Sequence, residues 1–177
     1  GDTAFNESFA VTVETVGVRR WLAAHPAAAM EYDRYDAHRR QFRKLVDAYR
    51  KRLEAVYDSS ETDAAKVASK DALFDRMRAD YDALKTSWGG YKGFDLWFAT
   101  DLNNAKIGSF ATYNQWVPAF MALLAQEHDD LPRFYAAVKA MSKRPEAERN
   151  ATLAALDSTP AAATARALLD APMQAVR

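Results

Sequence analysis

Apolar positions recur at helical spacing along nearly the whole chain. Phe5, Phe9, Val13 and Val16 form one stripe of a first helix. Asp2 or Thr3 can cap that helix, with Asn6 and Glu7 in or near its first turn. Gly17 interrupts it without breaking it, and Val18, Trp21 and Leu22 continue the pattern. His25-Pro26 marks a boundary, because the residue before a proline avoids the α region. From about residue 27 to 57 a second helix is striped by Tyr35, Phe42, Leu45, Tyr49, Leu53 and Val56, with charges opposite. Asp58-Ser59-Ser60 reads as a turn, and Ser60 or Thr62 can cap a third helix. That helix runs to about Trp88 on Val67, Phe74, Met77, Tyr81 and Leu84. The short link makes these two long helices an antiparallel pair.

Gly89-Gly90-Tyr91-Lys92-Gly93-Phe94 ends the pattern. The stretch from Phe94 to Phe120 is aromatic, amide-rich and poor in charge, and reads as a partly irregular segment packed against something. Helical text resumes near Val117, with Pro118 tolerable in a first turn. Another helix opens at Leu131-Pro132 and runs through Met141, and two shorter ones come after Pro145 and Pro160. No internal repeat and no convincing strand run is visible. The expectation is an all-α, multi-helix bundle, a single helical domain over residues 1–177, with two long antiparallel helices and an irregular aromatic-rich segment.

Composition narrows the functional classes. Lys+Arg and Asp+Glu are both 24, so the net charge is zero, which argues against a general nucleic-acid or anionic-membrane binder. Without cysteine there is no disulfide, no thiolate zinc ligand and no thiol nucleophile. No apolar run approaches the roughly 18 residues of a membrane-spanning helix.

One acid stands out. Glu7 sits between Phe5 and Phe9, on what reads as the buried side of the first helix. It is either an ordinary first-turn acid favoured by the helix dipole or a ligand. The words around it bear on that choice. Asn6-Glu7-Ser8-Phe9-Ala10 resembles the second zinc motif of gluzincin peptidases, Asn-Glu-x-x-Ala, whose Glu is the third zinc ligand after an H-E-x-x-H helix. The longer stretch GDTAFNESFAVTVETVGVRRWL, together with NNAKIGSFATYNQWVPAF, is similar to a family of zinc-dependent bacterial aminopeptidases. The resemblance runs from Gly1 to about Leu156.

The resemblance implies a zincin-like catalytic domain, a peptide substrate and a zinc cofactor, with Glu7 as a metal ligand. Glu14, seven residues on and on the same face, would support a ligating histidine or stand as a solvated acid. Tyr113 would donate to the oxyanion or be a packed tyrosine; Tyr91 is the weaker alternative. Asn103 and Asn104 would bind substrate backbone or cap a helix. Asp95 and Asp101 are candidates for holding the substrate amine, or are solvated acids. Arg19-Arg20 matches the family's text and suits ion pairing or helix C-termini.

The chain departs from the family pattern in having no H-E-x-x-H, and His25, His38 and His128 have no partner histidine four residues away. The resemblance therefore implies the C-terminal part of a metallopeptidase whose HExxH segment lies upstream of Gly1, incomplete and inactive as given. It also leaves open an exported or membrane-anchored location. The contrasting reading is a non-catalytic helical interaction or scaffold module.

Overall fold

A computed structural model describes residues 2–171, without the side chains of 111–113. Every regular element among the described residues is an α-helix: α1 Thr3–Ala24, α2 Pro26–Asp58, α3 Asp63–Ser87, α4 Asp95–Ala99, α5 Asn104–Asn114, α6 Val117–Gln126, α7 Leu131–Ser142, α8 Glu146–Asp157 and α9 Pro160–Asp170. The chain divides into two compact units, one of Gly1–Asp33 with Thr112–Arg177 and the other of Arg34–Ala111.

The first unit is built around α6. Its sequence, VPAFMALLAQ, is apolar almost all round, so it must be surrounded to be stable. It packs against α1, α7, α8 and α9. Phe120 is fully buried and meets Phe5 of α1 edge-on at 5.2 Å. Helix α7 buries Phe134, Val138 and Met141, and α8 buries Leu153 and Leu156, each at helical spacing. Caps fix the starts: the Phe5 N–H donates to Asp2, the Arg133 N–H to Asp130 and the Ala162 N–H to Thr159.

Asp2 does more than cap. Its second carboxylate oxygen accepts from Arg149 Nη2 at 2.8 Å, tying the start of α1 to α8. Burial pushes this carboxyl up, but the Arg149 hydrogen bond, the Phe5 N–H and the Arg149 charge together outweigh it and hold it below the ordinary range. The Arg19-Arg20 pair closes the other end of α1. Arg19 donates to the Leu168 carbonyl near the end of α9, and Arg20 to the Asp129 carbonyl just past α6. Both satisfy carbonyl groups at or beyond helix C-termini.

In the second unit, α2 and α3 pair in opposite directions. Trp88 Nε1 donates to Gln41 at 2.9 Å, and the Tyr49 hydroxyl donates to Asp80 at 2.6 Å, so eight residues forward on α2 match eight backward on α3. Phe42, Val46, Tyr49 and Leu53 meet Phe74 and Met77 in the core, with Leu102 and Ile107 beside them. Tyr35 and Val67, expected in the apolar stripes, are exposed at 44% and 53%. The stretch after the glycine loop contains α4 and α5 with non-helical residues between them. Its rings cover Phe42: Phe94 stacks on it at 4.1 Å, and Trp97, Phe98 and Phe110 meet it edge-on. Among the described residues no helix is long and apolar enough to cross a membrane.

Candidate functional site

Helix α1 presents two different faces. Its most deeply buried side chains are Ser8 and Thr12, both fully buried, with Phe5, Thr15, Val16 and Leu22. Phe9 and Val13 lie only half-buried at the edge of that face. Small hydroxyl side chains let α1 approach α6 closely while finding partners of their own. Thr12 Oγ1 donates to the Ser8 carbonyl at 2.7 Å. Ser8 Oγ accepts the Trp116 N–H at 3.1 Å, at the start of α6, where backbone donors lack helical partners.

This contact joins the two most distinctive stretches of the sequence. Ser8 and Phe9 belong to Asn6-Glu7-Ser8-Phe9-Ala10, and Trp116 and Phe120 to Asn114-Gln115-Trp116-Val117-Pro118-Ala119-Phe120. Besides the Ser8–Trp116 bond, Phe9 meets Phe120 at 6.0 Å and Phe134 at 5.8 Å.

Glu7 does not share the buried side with Phe5. Two residues along a helix turn the side chain by roughly 200°, so Glu7 lies opposite the Phe5–Ser8–Thr12 face. It is half-buried, and its carboxylate makes no hydrogen bond or ion pair with another described residue. Glu14 lies on the same side, exposed, with half-buried Val11 and Val18 near it on the helix surface.

The histidines are placed separately. His25 caps the end of α1, with Nδ1 2.7 Å from the Trp21 carbonyl and its ring stacked on Trp21 at 4.2 Å. His128 comes after α6 in a left-handed conformation, φ 56°. His38, on α2, lies 4.8 Å from the rings of both Trp88 and Tyr91. Among the described residues no three His, Asp or Glu side chains converge to hold a metal ion. Among the described residues the donors therefore do not converge as the three protein ligands that a catalytic zinc takes.

The other candidates lie on or beside α4 and α5. Tyr113 is on α5, and its side chain lies outside the described residues. Asn103 accepts the Lys106 N–H at 2.9 Å, in the manner of an N-cap, and its amide donates to Asp101. Asn104 donates to the Tyr57 hydroxyl. Asp95 accepts from Lys85 at 2.7 Å and from the Tyr81 hydroxyl at 2.7 Å, and the Lys85 bond foremost holds its carboxyl below the usual range. Tyr91 is packed over Gly93, where an added Cβ would collide with the phenol ring.

Sequence reasoning missed Ser8 as the anchor. The signal was present in Ser8 and Thr12, two hydroxyl residues four apart beside an aromatic stripe, but such pairs also sit on solvated faces. No curated protein and no solved structure matches the chain. A family description does match: residues 1–153 fit the family described as "Putative aminopeptidase", so the chain belongs to that family.

Proposed function

We propose that this chain is part of a zinc-dependent aminopeptidase in which Glu7 is one of three protein ligands to the metal. The observation that carries the reading is the state of Glu7: a half-buried carboxylate without a partner among the described residues, on a helix fixed from behind by the Ser8–Trp116 bond. A carboxylate drawn out of water needs a partner as its burial is completed, and a cation satisfies that need. The two histidine ligands and the general base would come from an HExxH segment outside this sequence. When bound, zinc would polarise the scissile carbonyl and activate water.

The contribution of this chain is positional. Ser8, Phe9 and Phe5 hold α1 against α6, and that fixes the direction in which Glu7 points. Glu14 on the same face is the candidate to support a ligating imidazole. Tyr113 would donate its hydroxyl proton in a hydrogen bond to the oxyanion formed by attack on the peptide carbonyl.

The test is zinc stoichiometry and hydrolysis of aminoacyl-p-nitroanilides by the natural full-length product, with Glu7→Gln beside it. Neighbours of a metal ligand are worth about 10–100-fold in metal affinity. Loss of the ligand itself should therefore weaken zinc binding by more than about 100-fold and abolish chelator-sensitive activity. Unchanged zinc content and activity in Glu7→Gln would remove Glu7 from the site, and a full-length product that holds no zinc and hydrolyses none of these substrates would leave the helical scaffold reading.

A further inference from the structure

A second polar constellation lies wholly within the 34–111 unit, between α2 and α5. There a cleft of about 380 Å³ opens over Leu53 and Ile107, which are 5% and 2% exposed and belong to the core. That volume falls at the small end of the range for ligand pockets. Gly108 forms part of its wall, and a Cβ built there meets no atom within 4 Å, so the space beside it is open.

The rim is polar and carries both signs of charge. Arg50 donates through Nε and Nη2 to Asp47, at 3.2 and 2.9 Å, and through Nη1 to Glu54. That leaves the second carboxylate oxygen of Glu54 able to accept. One turn further along α2 the Tyr57 hydroxyl accepts from Asn104 Nδ2 of α5, which leaves its own proton to donate. The Asn104 carboxamide oxygen is a further acceptor. An apolar floor with an anion, a cation and a hydroxyl donor around its edge matches a small zwitterion with an aliphatic side chain.

We propose that this cleft binds a free aliphatic α-amino acid of the size of leucine. Its ammonium would lie on Glu54 and the Asn104 carboxamide oxygen. Its carboxylate would accept from the Tyr57 hydroxyl and face Arg50, and its side chain would cover Leu53 and Ile107. The inference rests on the aminopeptidase reading only for the source of the ligand, since such an enzyme releases free amino acids. The binding chemistry itself needs no metal and no catalysis.

The experiment is calorimetric titration of the full chain with L-leucine, with N-acetyl-L-leucine and L-leucinamide as comparisons. Saturable 1:1 binding of L-leucine is expected. Each blocked analogue removes one charge-assisted contact and should bind about tenfold more weakly or worse. Gly108→Leu, which fills the open space, should abolish binding. Glu54→Gln, at an exposed position that leaves the fold intact, should weaken L-leucine at least about tenfold while leaving N-acetyl-L-leucine unaffected. No saturable binding, equal binding of all three compounds, or binding indifferent to Glu54→Gln would overturn the proposal. Because the readout is binding, a negative result says nothing against zinc at Glu7, and loss of the zinc reading would leave this test standing.

Discussion

At the scale of single residues, the first helix is governed by what its hydroxyl groups do. Ser8 is fully buried, so its Oγ must have a partner, and the Trp116 N–H provides one at 3.1 Å. Removing the hydroxyl leaves that N–H without its acceptor at the start of α6. A buried donor left unsatisfied costs about 1–3 kcal/mol. Ser8→Ala should therefore lower the unfolding free energy by about 1–3 kcal/mol in urea titrations, with the slope unchanged because the buried surface hardly differs. Ser8→Thr keeps the acceptor and separates the hydrogen bond from packing: the extra methyl has to fit a fully buried position. Should Ser8→Ala unfold at the same urea concentration as the parent, the bond contributes nothing and α1 is held by its aromatic contacts alone. The same side chain also explains why the spacing misleads at Glu7. With Phe5 as the reference, Ser8 rather than Glu7 shares the buried face.

At the scale of elements, the boundaries are largely legible in the sequence and the faces less so. His25-Pro26, Thr62 and the prolines at 118, 132 and 160 each mark a helix edge that is present, because caps and prolines act locally. The face of α1 is harder to read because apolar residues lie all round it, Val11, Val18 and Trp21 included. Periodicity alone then does not single out one stripe. Tyr35 and Val67 stand at the ends of their stripes and are exposed. The cleft over Leu53 and Ile107 is invisible in the sequence because its lining joins α2 to α5, which are far apart along the chain. Of that lining, Asn104, Ile107 and Gly108 stand in a distinctive motif, and the α2 residues do not. Two helix ends show how far composition tracks geometry. Helix α3 closes with Gly89 and Gly90 at φ 69° and 86°, with Gly90 N–H donating to Lys85 and Gly89 N–H to Thr86. Helix α6 closes in the same hydrogen-bond pattern with His128 and Asp129 at φ 56° and 58°. Side chains there cost roughly 1–2 kcal/mol each relative to glycine. Glycine gives back about 0.5–1 kcal/mol in the unfolded chain. His128→Gly should accordingly raise stability, by up to about 1 kcal/mol in denaturant titrations, and a loss of stability would mean that the imidazole has a packing role.

At the scale of the molecule, each unit carries a titrating group whose folded environment opposes protonation. In the 34–111 unit it is His38, with Nδ1 buried and without a hydrogen-bond partner among the described residues, beside the rings of Trp88 and Tyr91. Burial foremost, and then the positive charge of Arg34, lower its affinity for a proton below that of a free histidine at 6.5. The unfolded chain binds a proton there first as pH falls, so stability declines from about pH 6.5 downward until the folded imidazole also protonates. In the other unit the group is Asp2, whose carboxylate is held in its charged form by Arg149. Its contribution is fully present above the ordinary carboxyl value of 3.8 and is lost as pH falls through the lower folded value. The two limbs therefore fall in different pH windows and in different units. Hydrogen exchange measured by mass spectrometry separates them. Between pH 7 and 5, after correction for the intrinsic rate, peptides around His38 and the 88–98 loop should lose protection while α1 and α8 do not. Below about pH 4 the α1–α8 junction should lose protection as well, because the unfolded chain then begins to bind a proton at Asp2 that the folded carboxylate does not yet accept. In His38→Phe the first limb should disappear, since an aromatic ring remains beside Trp88 and Tyr91 without a site to protonate. A first limb that persists in His38→Phe would assign it to another group, and simultaneous loss in both units would show that they unfold as one.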